Sequence, residues 1–354
     1  MTVFYILFGI LVFGVLIGIH EFGHFITAKA CRVKVEEFSI GMGPALWKKQ
    51  KGETLYALRC LPIGGYCAMT GEDEASDDPR AFLNQKPWKR ILILCAGAFM
   101  NFLLGLAIIF FLFLGAEGFR APILAGFVEG CPYEAADGLQ VGDRFYRIDG
   151  RRVYSNEDVV AFLSRGGDTY DIVVIREGKK VKLDDFYMVP VQYEGQEQKM
   201  FGFNVGGVVQ ATFSTKLAFT WDTAMDFSRR VWMSLGDLLG GRVEVKQLAG
   251  PVRIVDEMAE VGKQSATVGE ALQNILFFGA LIAINLAIMN MLPIPALDGG
   301  RVFLLLVTWV IESLTHKKLD PKYEGYIHAV GLVLLLGLMA FVLFNDVLNI
   351  VQKP

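Results

Sequence analysis

The chain has 354 residues, 53% of them hydrophobic and 20% charged, with a formal net charge of −3 and five cysteines that form no CxxC pair. Its mean hydropathy of +0.41 is too high for an ordinary soluble protein, and its charge content is too high for a bare bundle of spans, so membrane helices plus an aqueous domain are expected. The near-neutral balance argues against a large basic face for nucleic acid, and the scattered cysteines argue against a disulfide framework or a cysteine metal site.

Residues 1–32 form the first element. Met1 to Ile19 carries no charge, and Val3 to about Ala30 is long enough to span a bilayer, which takes roughly 20 apolar residues. No Lys or Arg precedes the apolar run and no small-residue cleavage site follows, so a retained span is expected rather than a removed signal peptide. Near its far end stands His20-Glu21-Phe22-Gly23-His24. Ionisable groups at membrane depth are costly and point to function. Positions i and i+4 share a helix face, and His-Glu-x-x-His supplies two zinc ligands with an adjacent carboxylate as general base. Gly23 leaves room beside a metal or allows another helix to approach closely. Lys29, Arg32 and Lys34 follow, which by the positive-inside rule makes that end cytoplasmic.

Residues 33–90 break into short apolar pieces separated by Gly41-Met42-Gly43-Pro44 and Leu61-Pro62-Ile63-Gly64-Gly65. Two small hairpins against the cytoplasmic mouth are expected; a plain connecting loop is the alternative. Glu72 to Arg80 reads as an acidic surface loop. Residues 91–116 are the second span, with Asn101 its only strongly polar residue.

Residues 117–190 change to charges, turns and short strands and read as an extracytoplasmic insert. Gly138-Leu139-Gln140-Val141-Gly142-Asp143, Phe145 to Ile148 and Asp149-Gly150 are similar to the core of a PDZ domain. Ser155 to Ser164 is its expected helix, and Asp171 to Arg176 with Lys179 to Leu183 an expected hairpin through Glu177-Gly178. A PDZ domain takes an extended peptide as an added strand. In residues 191–271, Phe201 to Val209 is a strand candidate, and the remainder has amphipathic helices that either lie on the outer membrane surface or pack on the protein.

Residues 272–315 form a third span interrupted by Leu292-Pro293-Ile294-Pro295-Ala296-Leu297-Asp298-Gly299-Gly300. Irregular backbone at depth is tolerated only where protein or a cavity surrounds it. His316 to Lys322 is basic and reads as cytoplasmic. Residues 326–347 are the fourth span, so the fold class is a polytopic α-helical membrane protein of four transmembrane helices, with a membrane-associated β-hairpin region and one PDZ-like α+β domain.

Two histidines at a catalytic zinc need a third protein ligand and an open position for water. Asp298 is the candidate, predicted at a depth similar to His20 and His24; its other reading is a helix N-cap. Zinc would lower the pKa of bound water to near ~7 and polarise a scissile carbonyl. Glu21 would take the water's proton and deliver it to the leaving amine. Asn285 and Asn290 either hydrogen-bond between helices or hold an unwound substrate backbone. His316 and His328 read as structural.

His20-Glu21-Phe22-Gly23-His24, Gly41-Met42-Gly43-Pro44, Leu61 to Tyr66, the PDZ-like insert, Gly250-Pro251-Val252, Asn285-Leu286 to Asn290, the Leu292 to Gly300 stretch and Leu343-Phe344-Asn345-Asp346 occur in that order. Together they resemble the bacterial site-2 protease family, of RseP type, over nearly the whole chain. The resemblance implies Zn2+ held by His20, His24 and Asp298, with Glu21 catalytic. It implies that Asn285, Asn290 and Pro293 handle substrate, and that a membrane-embedded hairpin region lies within Val33 to Met69. The implied partners are the lipid bilayer and single-pass transmembrane proteins, such as anti-sigma factors and signal-peptide remnants, cut in a bacterial cell membrane near its cytoplasmic face. Many relatives carry two PDZ domains and this chain shows one. Ala98 stands where the family's AGP-x-x-NF has proline, and Arg301 stands where histidine is frequent and reads as peripheral. The alternative is a non-catalytic membrane scaffold that binds exported protein tails, against which the intact His20, Glu21, His24 and Asp298 set argues.

Overall fold

Helix α1 (Thr2–Ala30) follows directly from its uninterrupted apolar run. The computed structural model describes residues 2–72, 74, 76–135, 137–193, 199–242, 250–316 and 321–351. It divides into two units, one made of residues 1–112 and 227–354 and the other of residues 113–226. Among the described residues four helices are long and apolar enough to cross a membrane, over Val3–Ala30, Pro87–Phe113, Val268–Asn290 and Gly325–Asp346. The protein is therefore a multi-pass membrane protein with four apolar helices and β-sheet regions, as the sequence predicts.

In the first unit, α1 leads into strands β1 (Val35–Lys51) and β2 (Thr54–Met69), joined through Gly52 at φ 63°. The sequence suggests two small hairpins; the structure has one long pair folded on itself. Phe38 pairs with both Cys67 and Tyr56, and Ile40 with both Gly65 and Leu58. The fold points are glycines in the left-handed region, Gly41 at φ 85°, Gly43 at φ 83° and Gly64 at φ 84°, where a side chain would be strained. Arg59 staples the folded arms. Its guanidinium donates to Ser39 Oγ at 2.7 Å, Gly43 O at 2.7 Å, Glu37 Oε1 at 2.6 Å and the Tyr66 hydroxyl at 2.6 Å. The strands sit on the end of α1 through a core of Ala28, Val33, Val35, Cys67 and Met69, which Phe82 from the following loop and Ile93 and Leu94 complete.

Helix α2 (Pro87–Phe113) begins with proline at its first position, where the missing N–H costs nothing. It approaches α1 at Gly23, where a Cβ would run into the Ala96 carbonyl. Gly23 thus serves close helix packing, the second of its two readings. Further along the chain, α5 (Pro251–Gln264) and α6 (Val268–Asn290) pack on α1 around Tyr5, Val12, Leu16, Met258, Ala259 and Ile275. A Cβ at Gly279 would stand 2.8 Å from Val12, and one at Gly105 of α2 2.7 Å from Ile284. Without a hydrophobic driving force between spans, small residues that let backbones approach are what holds them together. Of the two expectations for the amphipathic segment, α5 packs on the protein. Thr267 caps α6 by accepting from the Glu270 N–H at 3.2 Å.

The third span is shorter than expected. Helix α6 ends at Asn290, and the chain restarts as α7 (Asp298–Thr315) after seven irregular residues from Met291 to Leu297. Only α6 meets the length and hydropathy of a span, because the two prolines and the left-handed Ala296 at φ 75° stop helical hydrogen bonding. Helix α8 (Pro321–Val351) closes the unit. Asp346 accepts from the Gly250 N–H at 3.2 Å and the Arg253 N–H at 3.1 Å, capping α5 from the far end of the chain. The expected basic loop lies in part, at residues 317–320, outside the described residues, as does the side chain of His328.

The second unit contains β3 (Gly118–Phe127), β4 (Arg144–Ile148), β5 (Arg151–Arg152), helix α3 (Asn156–Leu163), β6 (Thr169–Arg176), β7 (Lys179–Tyr187) and β8 (Phe203–Gln210). The sheet order is β7-β6-β4-β3-β8, with β5 on β4. Ser155 and Asp158 form a capping box at α3. The β6–β7 turn uses Glu177 at φ 49° and Gly178 at φ 77°, the left-handed pair a two-residue hairpin requires. The sequence reading closes this insert at residue 190. Strand β8 pairs along β3 from Gly118 opposite Gln210 to Phe127 opposite Phe203, so the unit runs past that boundary. The signal was weak because β8 is an edge strand with two glycines and no strict alternation. The start of α4 (Phe213–Leu239) clusters here too, with Phe219 stacked on Phe119 at 4.5 Å.

Candidate metal centre

Three side chains from two helices converge on one point. His20 and His24, one turn apart on α1, present their rings to the same side, 4.8 Å apart between centroids. Asp298 is the first residue of α7, and Leu297 rather than Asp298 holds the N-cap position. The capping alternative for Asp298 is thereby removed. Its Oδ2 lies 3.1 Å from His20 Nε2 and 3.3 Å from His24 Nε2, and the two Nε2 atoms are 3.2 Å apart. Gly299 and Gly300 make this reach possible. A Cβ at Gly299 would collide with the Met291 carbonyl and one at Gly300 with the Ile294 carbonyl, so only glycine lets α7 start tucked against the loop that precedes it.

The three atoms fit a cation. The His24 Nδ1–H donates to the Ile93 carbonyl at 2.8 Å, which leaves the Nε2 lone pair facing inward. Asp298 Oδ2 is buried without a hydrogen-bond partner. A carboxylate oxygen and imidazole lone pairs held this close repel unless something positive lies between them. Two histidines and a carboxylate with one position open match the donor set of a catalytic zinc site, and among the described residues His20, His24 and Asp298 are the group placed to hold one.

Around these atoms the packing is tight. A Cβ at Gly97 of α2 would meet His24 Nε2 and approach His20 Cε1 to 2.8 Å. A Cβ at Gly65 would lie 3.1 Å from the Cγ of Glu21. Strand β2 therefore passes beside the Glu21 carboxylate. Arg301, read as peripheral from the sequence, donates to Glu72 Oε1 at 2.5 Å. That ion pair fastens the start of α7 to the loop after β2, three residues from Asp298.

Of the other residues singled out, Asn290 comes to the site, its Nδ2 3.4 Å from His20 Nε2. Asn285 is exposed on α6 and Pro293 is exposed in the break. The sequence reading passes over Ile93, whose contribution is a main-chain carbonyl and leaves no side-chain signal. It also passes over Gly97, whose trace is a glycine four residues before the polar Asn101.

Comparison with known proteins bears on this arrangement. The model of peptidase family M50 matches residues 8–338. A protein of Clostridium perfringens provisionally named a zinc metalloprotease is 35% identical over 347 residues, covering 97% of this chain and 98% of its own. A protein of Clostridium acetobutylicum with the same kind of name is 35% identical over 350 residues, covering 98% of each. The zinc metalloprotease RasP of Shouchella clausii is 28% identical over 427 aligned positions, covering 96% of this chain and 97% of its own.

Proposed function

This chain belongs to peptidase family M50 and is a multi-pass membrane zinc metalloprotease, and from that premise we propose that it is an intramembrane endoprotease that cuts transmembrane segments of single-pass membrane proteins. The observation that carries the reading is the convergence of His20, His24 and Asp298 within 3.1–3.3 Å, with the histidines on a helix apolar enough to span a bilayer. A site built there meets substrates that are themselves in the membrane.

His20, His24 and Asp298 are assigned as the zinc ligands. Bound zinc would supply an acidified water and a Lewis acid for the scissile carbonyl. Glu21 would act as the base that accepts a proton from the attacking water and returns it to the leaving amine. A substrate helix has its carbonyls satisfied internally, so it must unwind before a peptide bond is exposed. The folded β1–β2 pair accepts the unwound strand by edge pairing, close to Glu21 where Gly65 brings β2 in. Asn290, Asn285 and Pro293 are assigned to holding the opened backbone. Lys29 in the last turn of α1, with Arg32 and Lys34 just beyond it, sets the site near the cytoplasmic face. The strand-rich unit, read as a PDZ-like domain, is extracytoplasmic and selects which substrates reach the site. Anti-sigma factors and signal-peptide remnants are the substrate classes proposed.

The test is cleavage of a single-span model substrate by the purified chain in detergent, comparing wild type, Glu21→Gln and wild type with a chelator. Cleavage by wild type alone is expected. Persistence in both controls overturns the zinc mechanism. Failure to cut any helix-destabilised substrate, together with capture of exported peptide tails, favours the scaffold reading.

A further inference from the structure

Asn101 has no assigned role, yet it is the fully buried polar residue of an apolar helix, with a relative exposure of 0%. An amide in such a place costs free energy unless its polar atoms are paired. It stands one turn after Gly97, on the face of α2 that lies against the two imidazoles. Its Nδ2 is 3.4 Å from His20 Nδ1, while its Oδ1 is buried with no partner.

The two defects have one remedy. For His20 to present the Nε2 lone pair to a metal, Nδ1 must carry the proton, and that N–H needs an acceptor. The oxygen and nitrogen of an amide exchange places by a half-turn, and their assignment follows from the hydrogen bonds they make. With the half-turn, Asn101 Oδ1 accepts from His20 Nδ1–H, so the orphaned oxygen gains a donor and the histidine gains its tautomer. The other polar neighbour of Nδ1 is Asn290 Nδ2 at 3.5 Å, which is also 3.4 Å from Nε2; it bears on both ring nitrogens and selects neither. His24 already has the matching arrangement, its Nδ1–H held by the Ile93 carbonyl two turns earlier on the same helix.

We infer that Asn101 is a positioning residue of the metal centre, the acceptor that holds His20 in the tautomer that ligates through Nε2. Helix α2 then supplies an outer-shell acceptor to each histidine, one from its main chain and one from a side chain. The inference rests on the assignment of His20 as a metal ligand.

The experiment measures zinc affinity of the purified full chain in detergent by competition with a chromophoric chelator, alongside the d–d spectrum of the Co2+-substituted protein. Asn101→Leu keeps the side-chain heavy-atom count and removes the acceptor; Asn101→Asp keeps an acceptor oxygen. Loss of an outer-shell partner weakens metal binding about 10–100-fold. Asn101→Leu is expected to weaken zinc by that factor and alter the Co2+ spectrum, with Asn101→Asp close to wild type in both. If Asn101→Leu does not fold, as judged by thermal melting of the chelated protein, Asn101→Met is read in its place. Unchanged zinc affinity in the acceptor-free variant overturns the inference, and so does a loss of equal size in Asn101→Asp, which would mark a packing role. His20→Ala separates the two layers. If it retains zinc, the ligand assignment fails; if it loses zinc while the acceptor-free variant does not, the role of Asn101 alone fails.

Discussion

Two aspartates, one in each unit, show what a buried carboxylate is for. Asp143 in the strand-rich unit is fully buried, at 0% exposure, and completely answered. Arg176 grips it through Nε at 2.8 Å and Nη2 at 2.7 Å, and the Gln140 N–H donates at 2.9 Å. The hydrogen bond to Asp143 raises the Arg176 pKa above the ordinary arginine range, against the opposing effect of burial. Asp298 in the helical unit faces two imidazole nitrogens, and its Oδ2 has no hydrogen-bond donor. The first arrangement is closed and its energy lies in the fold. The second is a donor set suited to a cation, so its energy is realised on binding. A buried charge that the protein does not satisfy by itself marks a functional site, whereas one that it does satisfy marks structure.

The comparison breaks most sharply on metal content. Asp298→Asn removes the charged member of the candidate donor set and should cost zinc more than the roughly 10–100-fold attached to outer-shell partners, with cleavage lost alongside; equilibrium dialysis followed by metal analysis checks it. Under chelation the same variant should melt no lower than wild type, because it relieves an unanswered carboxylate. A lower melting point in the chelated state would mean that Asp298 has a structural partner after all.

Asp143→Ala should behave in the opposite way. It leaves Arg176 without its partner and should destabilise the strand-rich unit by about 3 kcal/mol, while zinc content stays at the wild-type level. Limited proteolysis within residues 113–226, compared with metal analysis of the same sample, reads both quantities. Zinc lost in step with proteolytic sensitivity would show that the two units do not divide the work.

A smaller effect tests the packing around the open site. Gly97→Ala places a methyl against the His24 ring, and overpacking of this kind costs about 1–3 kcal/mol. It should weaken zinc and lower the chelated melting point together, since the strain is present with and without metal. Ala introduced at Gly130, where nothing lies within 4 Å of a Cβ, is not an equal control because its φ of 78° is strained; Gly167, open and without that constraint, is the proper one.

Much of this was legible because membranes simplify the problem. The four apolar runs match the spans within a few residues, except where the third was expected to continue through its prolines. The Ser155 cap and the Glu177-Gly178 turn were legible because each is a local device whose residues act on their immediate neighbours. Strand β8 is recognisable in sequence as a strand but not as a member of its sheet, because pairing Gly118 with Gln210 is a contact across the whole unit and neither strand alternates cleanly. The double pairing of Phe38 was hidden for the same reason.

His20, Glu21 and His24 needed only the period of a helix to be recognised, since spacing of four fixes a shared face. Asp298 could be nominated from its chemistry and its broken surroundings, yet Asp298 as cap and Asp298 as ligand are the same letters in sequence. Only the tertiary structure shows what that carboxylate faces, by bringing Oδ2 to 3.1 Å from His20 Nε2 across 278 positions of chain. The outer layer was less legible still. The Ile93 carbonyl has no side-chain identity, and Gly97, Gly299 and Gly300 matter for atoms they do not have. Sequence determines which groups are available and which neighbours share a face; distance between elements, and therefore whether a buried charge is answered, is set by the packing of one backbone on another.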